Sequence, residues 1–206
     1  MSSLRRMMMA KKKLPYDAEI EYLQGGASSY IDTGIIPTIT PRVVLEIAMT
    51  SNIDADVFGF AENKVPSFIG NLDSYSSTTR VHSFRFYRYY STSSKGNNLI
   101  STVERDNYAV WDMGHEVKCN GQTLATFQVE SFANNTQVLN LLGGRSAQRN
   151  GTINIKIKWA KIYDGDTLMR DFIPVRVDNV GYMYDKVSKQ LFGNAGMGSF
   201  ILGNDK

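Results

Sequence analysis

Hydrophobic and polar residues alternate with a period of two along most of this chain. The clearest case is residues 43–49, where Val43, Leu45, Ile47 and Met49 fall on one face. Such alternation is typical of a β-strand with one buried face, whereas an amphipathic helix repeats its apolar positions at about every third or fourth residue. No window of the sequence shows a convincing helical spacing. The pattern therefore predicts an all-β protein.

Further segments of this kind recur at short intervals. Strands are predicted over residues 16–23, 56–61, 68–71, 82–90, 108–112, 115–120, 122–127, 152–163, 168–175, 180–184 and 200–202, and residues 138–142 form an apolar run too short for a helix. Short strands separated by turn signals every 8–12 residues or so are typical of two packed antiparallel sheets. We expect such a sandwich, with no internal repeat and no linker that divides it.

The longest predicted strand covers residues 152–163. Simple alternation gives it a dry face and a wet face. The dry face would carry Ile153, Ile155, Ile157 and Trp159, and the wet face Asn154, Lys156, Lys158 and Ala160.

A tight hairpin is predicted at Asn120-Gly121. Both central residues of a type I′ turn need positive φ, which asparagine tolerates and glycine adopts freely.

Charge divides the chain into a tail and a body. Of the 23 basic residues, five lie in the first 13 positions without any acid, which leaves 18 basic residues against 20 acidic ones in the remainder. The near-neutral body does not indicate a nucleic-acid-binding face. The tail lacks the apolar run of a secretory signal, and no segment is long enough to span a membrane. We therefore predict a basic, methionine-rich docking tail over residues 1–14 and one domain over residues 15–206.

Residue types that commonly carry catalysis are sparse. Cys119 is the single cysteine, so no internal disulfide is expected, and it is interpreted as a strand residue without chemistry. His115 and Cys119 lie four apart on a predicted strand, about 13 Å along it, which is too far for a catalytic pair. Glu46 stands alone among apolar neighbours, and the paired carboxylates of a glycoside hydrolase are not evident. We expect no enzymatic activity and no cofactor.

Two acidic clusters could supply oxygen ligands for calcium. One is Asn52, Asp54 and Asp56, and the other is Asp164 and Asp166 around Gly165. The same residue types are preferred in tight turns. We therefore interpret Asp164-Gly165-Asp166 as a hairpin turn, and we predict no metal site.

Aromatic residues are concentrated in one predicted strand, residues 82–90. Alternation places Phe84, Phe86 and Arg88 on one side of it, and Arg85, Tyr87 and Tyr89 on the other. Exposed tyrosines can stack on a sugar ring or on a partner protein. Arg85, Tyr87 and Tyr89 are therefore candidate glycan or surface contacts, with a packed surface without ligand as the alternative.

Several segments resemble one known group of β-sandwiches. They are IEYL at residues 20–23, YIDTG at 30–34, WAKIYDGDTLMRDFIPV at 159–175, GYMYDKVS at 181–188 and LFGNAGMGSF at 191–200. Together they resemble the opening and closing strands of concanavalin A-like, laminin-G-like modules, which occur in bacteriophage virion proteins and in gut-bacterial surface proteins. The resemblance covers about residues 16–203 and implies a jelly-roll sandwich. The shared segments are interpreted as structural, and no ligand-binding residue is carried over from the group.

The resemblance and the tail together lead to two hypotheses. The first is a bacteriophage structural protein on the head or tail surface, assembled in the host cytoplasm. It would dock on other virion proteins as a homo-oligomer and could contact host-surface glycans. Its docking residues would be Arg5, Arg6, Met7, Met8, Met9, Lys11, Lys12 and Lys13. The alternative is a lectin-like carbohydrate-binding module of a bacterial surface or secreted protein. Neither hypothesis requires a membrane span or a specific nucleic acid.

Overall fold

The computed structural model describes residues 14–26, 28–50, 55–61, 67–72, 80–89, 95–127, 132–143 and 155–206. Throughout these ranges the regular elements are β-strands, as the alternation predicts. None of the described residues forms a helix long and apolar enough to cross a membrane.

The strands range in length from two to eleven residues. In chain order they are β1 (Ala18–Glu19), β2 (Leu23–Gln24), β3 (Ile31–Asp32), β4 (Pro41–Met49), β5 (Ala55–Ala61), β6 (Ser67–Leu72), β7 (Val81–Tyr89), β8 (Lys95–Glu104), β9 (Ala109–Met113), β10 (Glu116–Cys119), β11 (Gln122–Thr126), β12 (Asn140–Leu141), β13 (Ile155–Asp164), β14 (Thr167–Val177), β15 (Val180–Asp185), β16 (Gln190–Phe192) and β17 (Ile201–Leu202).

These strands form two antiparallel sheets. Within the described ranges the first sheet has eleven strands, eight of them in the order β11-β10-β9-β4-β13-β14-β15-β16, with β1, β2 and β17 attached beside β13 and β14. The second has six, in the order β3-β12-β5-β6-β7-β8. The fold is a two-sheet sandwich of the jelly-roll kind, which confirms the predicted class.

The core lies between the two sheets. The predicted inner face of β4 is fully buried at Val43, Leu45 and Ile47, and it belongs to the same apolar cluster as the phenylalanines of the second sheet. The two sheets are in contact where the ring centroids of Trp111 on β9 and Phe84 on β7 lie 4.5 Å apart. Apolar burial of this extent is the main source of stability in such a fold.

The strands that were not predicted from the sequence include β8 and β16. β8 begins with Lys95-Gly-Asn-Asn, residues that favour turns, although its Leu99 is buried in the core. β16 has three residues, too few for alternation to be recognised. The predicted strand over residues 16–23 is instead two short strands, β1 and β2, which pair with different neighbours.

The predicted hairpin at Asn120-Gly121 is confirmed. Both residues have positive φ, 48° and 82°, and they join β10 to β11. The Asn120 side chain also accepts a hydrogen bond of 2.8 Å from the backbone N–H of Val110 on β9. Asn120 therefore permits the turn and also links it by a hydrogen bond to the neighbouring strand β9.

Two of the closing segments on which the resemblance rests make hydrogen bonds within the sandwich. In the segment GYMYDKVS, the buried Asp185 accepts hydrogen bonds from the backbone N–H groups of Asp171 (2.8 Å), Val187 (3.1 Å) and Ser188 (2.9 Å). In the segment LFGNAGMGSF, the side-chain oxygen of Asn194 accepts from the backbone N–H of Tyr30 at 3.1 Å. The closing segments thus fix turns and hold the opening segment in place.

Candidate functional site

A β-bulge in β13 determines the most distinctive surface of the first sheet. Ile157 pairs with Ile47 of β4, and Trp159 pairs with the adjacent Glu46, so Lys158 is an extra residue on β13. An extra residue reverses the facing of all side chains that follow it. The prediction that Trp159 lies on the dry face with Ile155 and Ile157 is therefore wrong. Trp159 lies on the outer face, and Ala160 is fully buried in its place.

Polar contacts hold the indole of Trp159 on the outer face. Its Nε1–H donates a hydrogen bond of 2.7 Å to Oε2 of Glu46, and Nζ of Lys158 lies 3.0 Å from Oε1 of the same carboxylate. Glu46, which the sequence shows as an isolated carboxylate, thus has both oxygens engaged by the bulge. Bulges commonly re-aim side chains next to functional sites in this way.

A groove of about 610 Å³ opens beside this arrangement. It combines three aromatic side chains with five charged ones. They are Tyr22, Tyr108 and Trp159, with Glu21, Glu46, Lys156, Lys158 and Lys206. Concave sites that mix flat apolar surface with a few polar groups are typical of small-ligand binding.

The groove exists because two neighbouring strands separate. Near the bulge, β13 and β14 part, and residues 18–24 pass from one to the other. Glu19 pairs with Val175 on β14, and Leu23 pairs with Ile157 on β13. The end of the chain closes the other side through β17, which pairs with β2. Residues remote in sequence are thereby brought to the outer face.

Lysine side chains cover the tyrosine rings of the groove. Nζ of Lys158 lies 3.8 Å from the ring centroid of Tyr108, and Nζ of Lys156 lies 4.6 Å from that of Tyr22. These are cation–π distances. Burial, with smaller contributions from Tyr22, Glu21 and Glu46, raises the pKa of Tyr108 to about 12. The Tyr108 hydroxyl is therefore protonated at neutral pH and can donate a hydrogen bond.

A second apolar cluster supports the groove on the same outer face. It is formed by Ile173, Val175 and Tyr184, packed with Tyr16, Trp159, Tyr182 and Leu191. The rings of Tyr16 and Tyr184 meet edge to face with centroids 5.1 Å apart. Trp159 belongs to both this cluster and the groove, so its position is fixed by packing as well as by Glu46.

The glycan contacts predicted from the sequence lie on the other sheet. Arg85, Tyr87 and Tyr89 belong to β7 and pair with β6, and their side chains lie outside the described part of the structure. On the same strand, Phe84 and Phe86 are fully buried, so the predicted core face is confirmed. The predicted docking residues Arg5, Arg6, Met7, Met8, Met9, Lys11, Lys12 and Lys13 also lie outside the described residues.

The acidic turn Asp164-Gly165-Asp166 joins β13 to β14, as predicted. Both oxygens of Asp164 are engaged, because they accept hydrogen bonds of 2.8 Å from the backbone N–H groups of Thr38 and Ile39. In the other cluster, Asp56 belongs to β5, whereas Asn52 and Asp54 lie outside the described residues. Within the described ranges no three His, Cys, Asp or Glu side chains are arranged to hold a metal ion.

Of the two histidines and the single cysteine, His82 and Cys119 are buried in the sandwich and His115 is exposed. His82 is fully buried, with Nδ1 accepting from Nε1–H of Trp111 at 3.3 Å and Nε2 3.0 Å from the carbonyl oxygen of Asn107. Burial lowers its pKa to about 4, so it is neutral at physiological pH. Cys119 is buried on β10, as predicted for a strand residue, and burial raises its pKa. His115 is exposed on the surface.

The fold defines the structural class of this chain, a two-sheet antiparallel β-sandwich. One solved structure with this fold is a proposed carbohydrate binding protein from Bacteroides ovatus ATCC 8483, with a TM-score of 0.58 and 7% sequence identity. The match covers 90% of this chain and 61% of that one, so this chain spans about three fifths of its neighbour's length. At this identity the likeness shows the fold alone. No protein-family model matches the sequence, and no curated protein matches it.

Proposed function

We propose that this protein binds carbohydrate through the groove on the outer face of the first sheet. The observation that carries the proposal is the bulge at Lys158, which turns Trp159 outward beside Tyr22 and Tyr108. Sugars present apolar C–H faces that pack on aromatic rings and hydroxyl groups that need polar partners. The groove offers both kinds of surface within one concave site.

The polar groups of the groove suit hydroxyl recognition. The carboxylate of Glu46 retains lone pairs that can accept from a sugar hydroxyl, although each of its oxygens already accepts one hydrogen bond or ion pair. The protonated Tyr108 hydroxyl and the lysine ammonium groups are donors. The hydrogen bond of 2.7 Å from Nε1–H of Trp159 to Oε2 of Glu46 fixes both side chains, so this part of the site is preorganised for a ligand.

We propose binding without turnover. Hydrolysis of a glycosidic bond needs one carboxyl group that gives up a proton and a second that attacks or activates water. In the groove both oxygens of Glu46 already have partners, the ammonium of Lys158 and the indole N–H of Trp159.

The fold neighbour supports the carbohydrate hypothesis over that of a virion structural protein, because its description names carbohydrate binding. The docking role of residues 1–14 stays a prediction from the sequence. It is tested by deleting those residues and asking whether a folded domain still joins a particle.

The test begins with a glycan array probed with the full-length protein, followed by calorimetry on the saccharides it identifies. Tyr22→Ala and Tyr108→Ala each remove a ring of the groove and should weaken binding by about tenfold, the equivalent of about 1.4 kcal/mol. The matched control is Tyr163→Ala. Tyr163 lies on β13 outside the groove, where the Arg42 guanidinium lies 5.1 Å from its ring centroid.

Three outcomes would separate the hypotheses. Loss of binding in both groove variants, with the control unchanged, supports the groove. Loss with Tyr87→Ala or Tyr89→Ala instead would return the site to the second sheet. Failure of the protein to retain any saccharide would contradict a carbohydrate-binding function.

A further inference from the structure

We infer that the groove selects acidic saccharides, sugars that bear a carboxylate, and that Lys156 is the residue that contacts this carboxylate. The inference rests on the proposed function, because it names the class of sugar that the same groove would take. The inference is based on which charged side chains of the groove form ion pairs within the protein and which do not.

The glutamates of the groove already have partners. Glu46 is bound by Lys158 and by Trp159, as described above. Oε2 of Glu21 accepts a hydrogen bond of 3.3 Å from the side-chain amide of Asn204. Glu46 is thus paired with a cation, and Glu21 has a neutral donor on one oxygen.

Lys156 is in a different position. Its ammonium group lies over the ring of Tyr22, and among the described residues it forms no ion pair with a carboxylate. Lys206, also in the groove, has no such pair in the same part of the chain. With three lysines and two glutamates, the groove carries an excess of positive charge.

A sugar carboxylate fits this arrangement. The contact between Lys156 and Tyr22 limits the freedom of a long side chain, so less entropy is lost when an anion binds. A charged hydrogen bond from an ammonium to a carboxylate is stronger than one between neutral groups. The neighbouring rings would contact the sugar itself, a surface that a simple inorganic anion would not use.

The test compares saccharides that share one sugar backbone and differ at the carboxyl group, which is charged in one and esterified in the other. Uronic acid oligosaccharides and their methyl esters share one sugar backbone, and an array can carry such pairs for several uronic acids, with sulfated and neutral sugars beside them. We expect the acid of at least one pair to bind about tenfold or more tightly than its ester. The affinity for the acid should fall as the salt concentration rises from about 0.01 M to about 1 M, because the Debye screening length shortens over that range from about 30 Å to about 3 Å.

Variants at one position connect the preference to Lys156. Lys156→Gln should weaken binding of the acid by about tenfold and binding of the ester by less, because the ester keeps only a neutral acceptor at this position. Lys156→Arg, which keeps the charge, should restore most of the affinity for the acid. The control is Lys186→Ala, which removes one positive charge from an exposed turn outside the groove.

Several results would overturn the inference. Equal binding of acid and ester, or of wild type and Lys156→Gln, would show that the groove binds sugars without selecting the acid, and the proposed function would stand alone. Binding of sulfated sugars in preference to uronic acids would overturn the assignment to a carboxylate. Absence of binding to every saccharide would overturn both proposals.

Discussion

The buried histidine His82 makes the stability of this protein depend on pH. In the folded state its ring lies between Trp111 and the carbonyl of Asn107, and its pKa is lowered to about 4 by burial. In the unfolded chain the pKa of a histidine is about 6.5. Below that value the unfolded chain binds a proton that the folded protein excludes. Stability is therefore fully present above about pH 6.5 and is lost as the pH falls toward 4.

The size of the effect follows from this difference in pKa. A shift from about 6.5 to about 4 corresponds to a total on the order of 3 kcal/mol, at about 1.4 kcal/mol for each pH unit. Between pH 7 and pH 5 the expected loss in the free energy of unfolding is about 2 kcal/mol. Carboxylates with a lowered pKa, such as Asp185, titrate below this window and contribute little to it.

Urea unfolding at pH 7, 6 and 5 measures this slope directly. In the variant His82→Gln the slope between pH 7 and pH 5 should largely disappear, although the variant is less stable at pH 7 because the packing around Trp111 changes. The control is His115→Gln, which removes an exposed histidine and should keep the slope. A wild-type protein whose unfolding free energy is unchanged between pH 7 and pH 5 would refute the reasoning.

Three further substitutions test how the shared segments and turns hold the sandwich. Asp185→Ala removes a buried acceptor of three backbone N–H groups and should lower the free energy of unfolding by about 2–4 kcal/mol, measured by urea denaturation. Gly196→Ala would place a Cβ 1.9 Å from the carbonyl oxygen of Ser28, so the backbone must move and the melting temperature should fall markedly. Gly121→Ala meets no neighbour within 4 Å, and its cost should be limited to about 1–2 kcal/mol for a positive φ of 82°. Equal losses for the two glycine variants would contradict this distinction.

Local signals were enough to predict much of the fold. The predicted strands match β4, β7, β14 and β15 to within two residues at each end, and β4 shows why, because its buried and less buried residues alternate from Pro41 to Ile47. The turn at Asn120-Gly121 depends on the backbone preferences of two adjacent residues. Such features depend on only a few neighbouring residues, so they can be recognised in the sequence.

The outward position of Trp159 was missed because one extra residue reverses the pattern. The sequence does contain a signal for it. The buried positions of β13 change from odd numbers, Ile155 and Ile157, to even ones, Ala160 and Ile162. A change of parity within an otherwise regular strand indicates a bulge. Reading the strand as one uninterrupted alternation assigned Trp159 to the core.

The groove as a whole could not be predicted from local patterns. Tyr22, Tyr108 and Trp159 are brought together because β13 and β14 separate and residues 18–24 fill the gap. Pairing between distant segments is a property of the sheet topology rather than of any short window. The aromatic run on β7, conspicuous in the sequence, instead places Phe84 and Phe86 in the core.

The most direct test of the central claim is a two-dimensional ¹H–¹⁵N spectrum of the protein during titration with the saccharide that binds best. The chain has two tryptophans, whose indole N–H groups lie in different places: that of Trp159 donates to Glu46 at the groove, and that of Trp111 donates to the buried His82. Trp159→Phe assigns the two signals. We expect the Trp159 signal to shift in a saturable way while the Trp111 signal stays in place. If the saccharide binds and the Trp159 signal does not move, the groove is not the binding site.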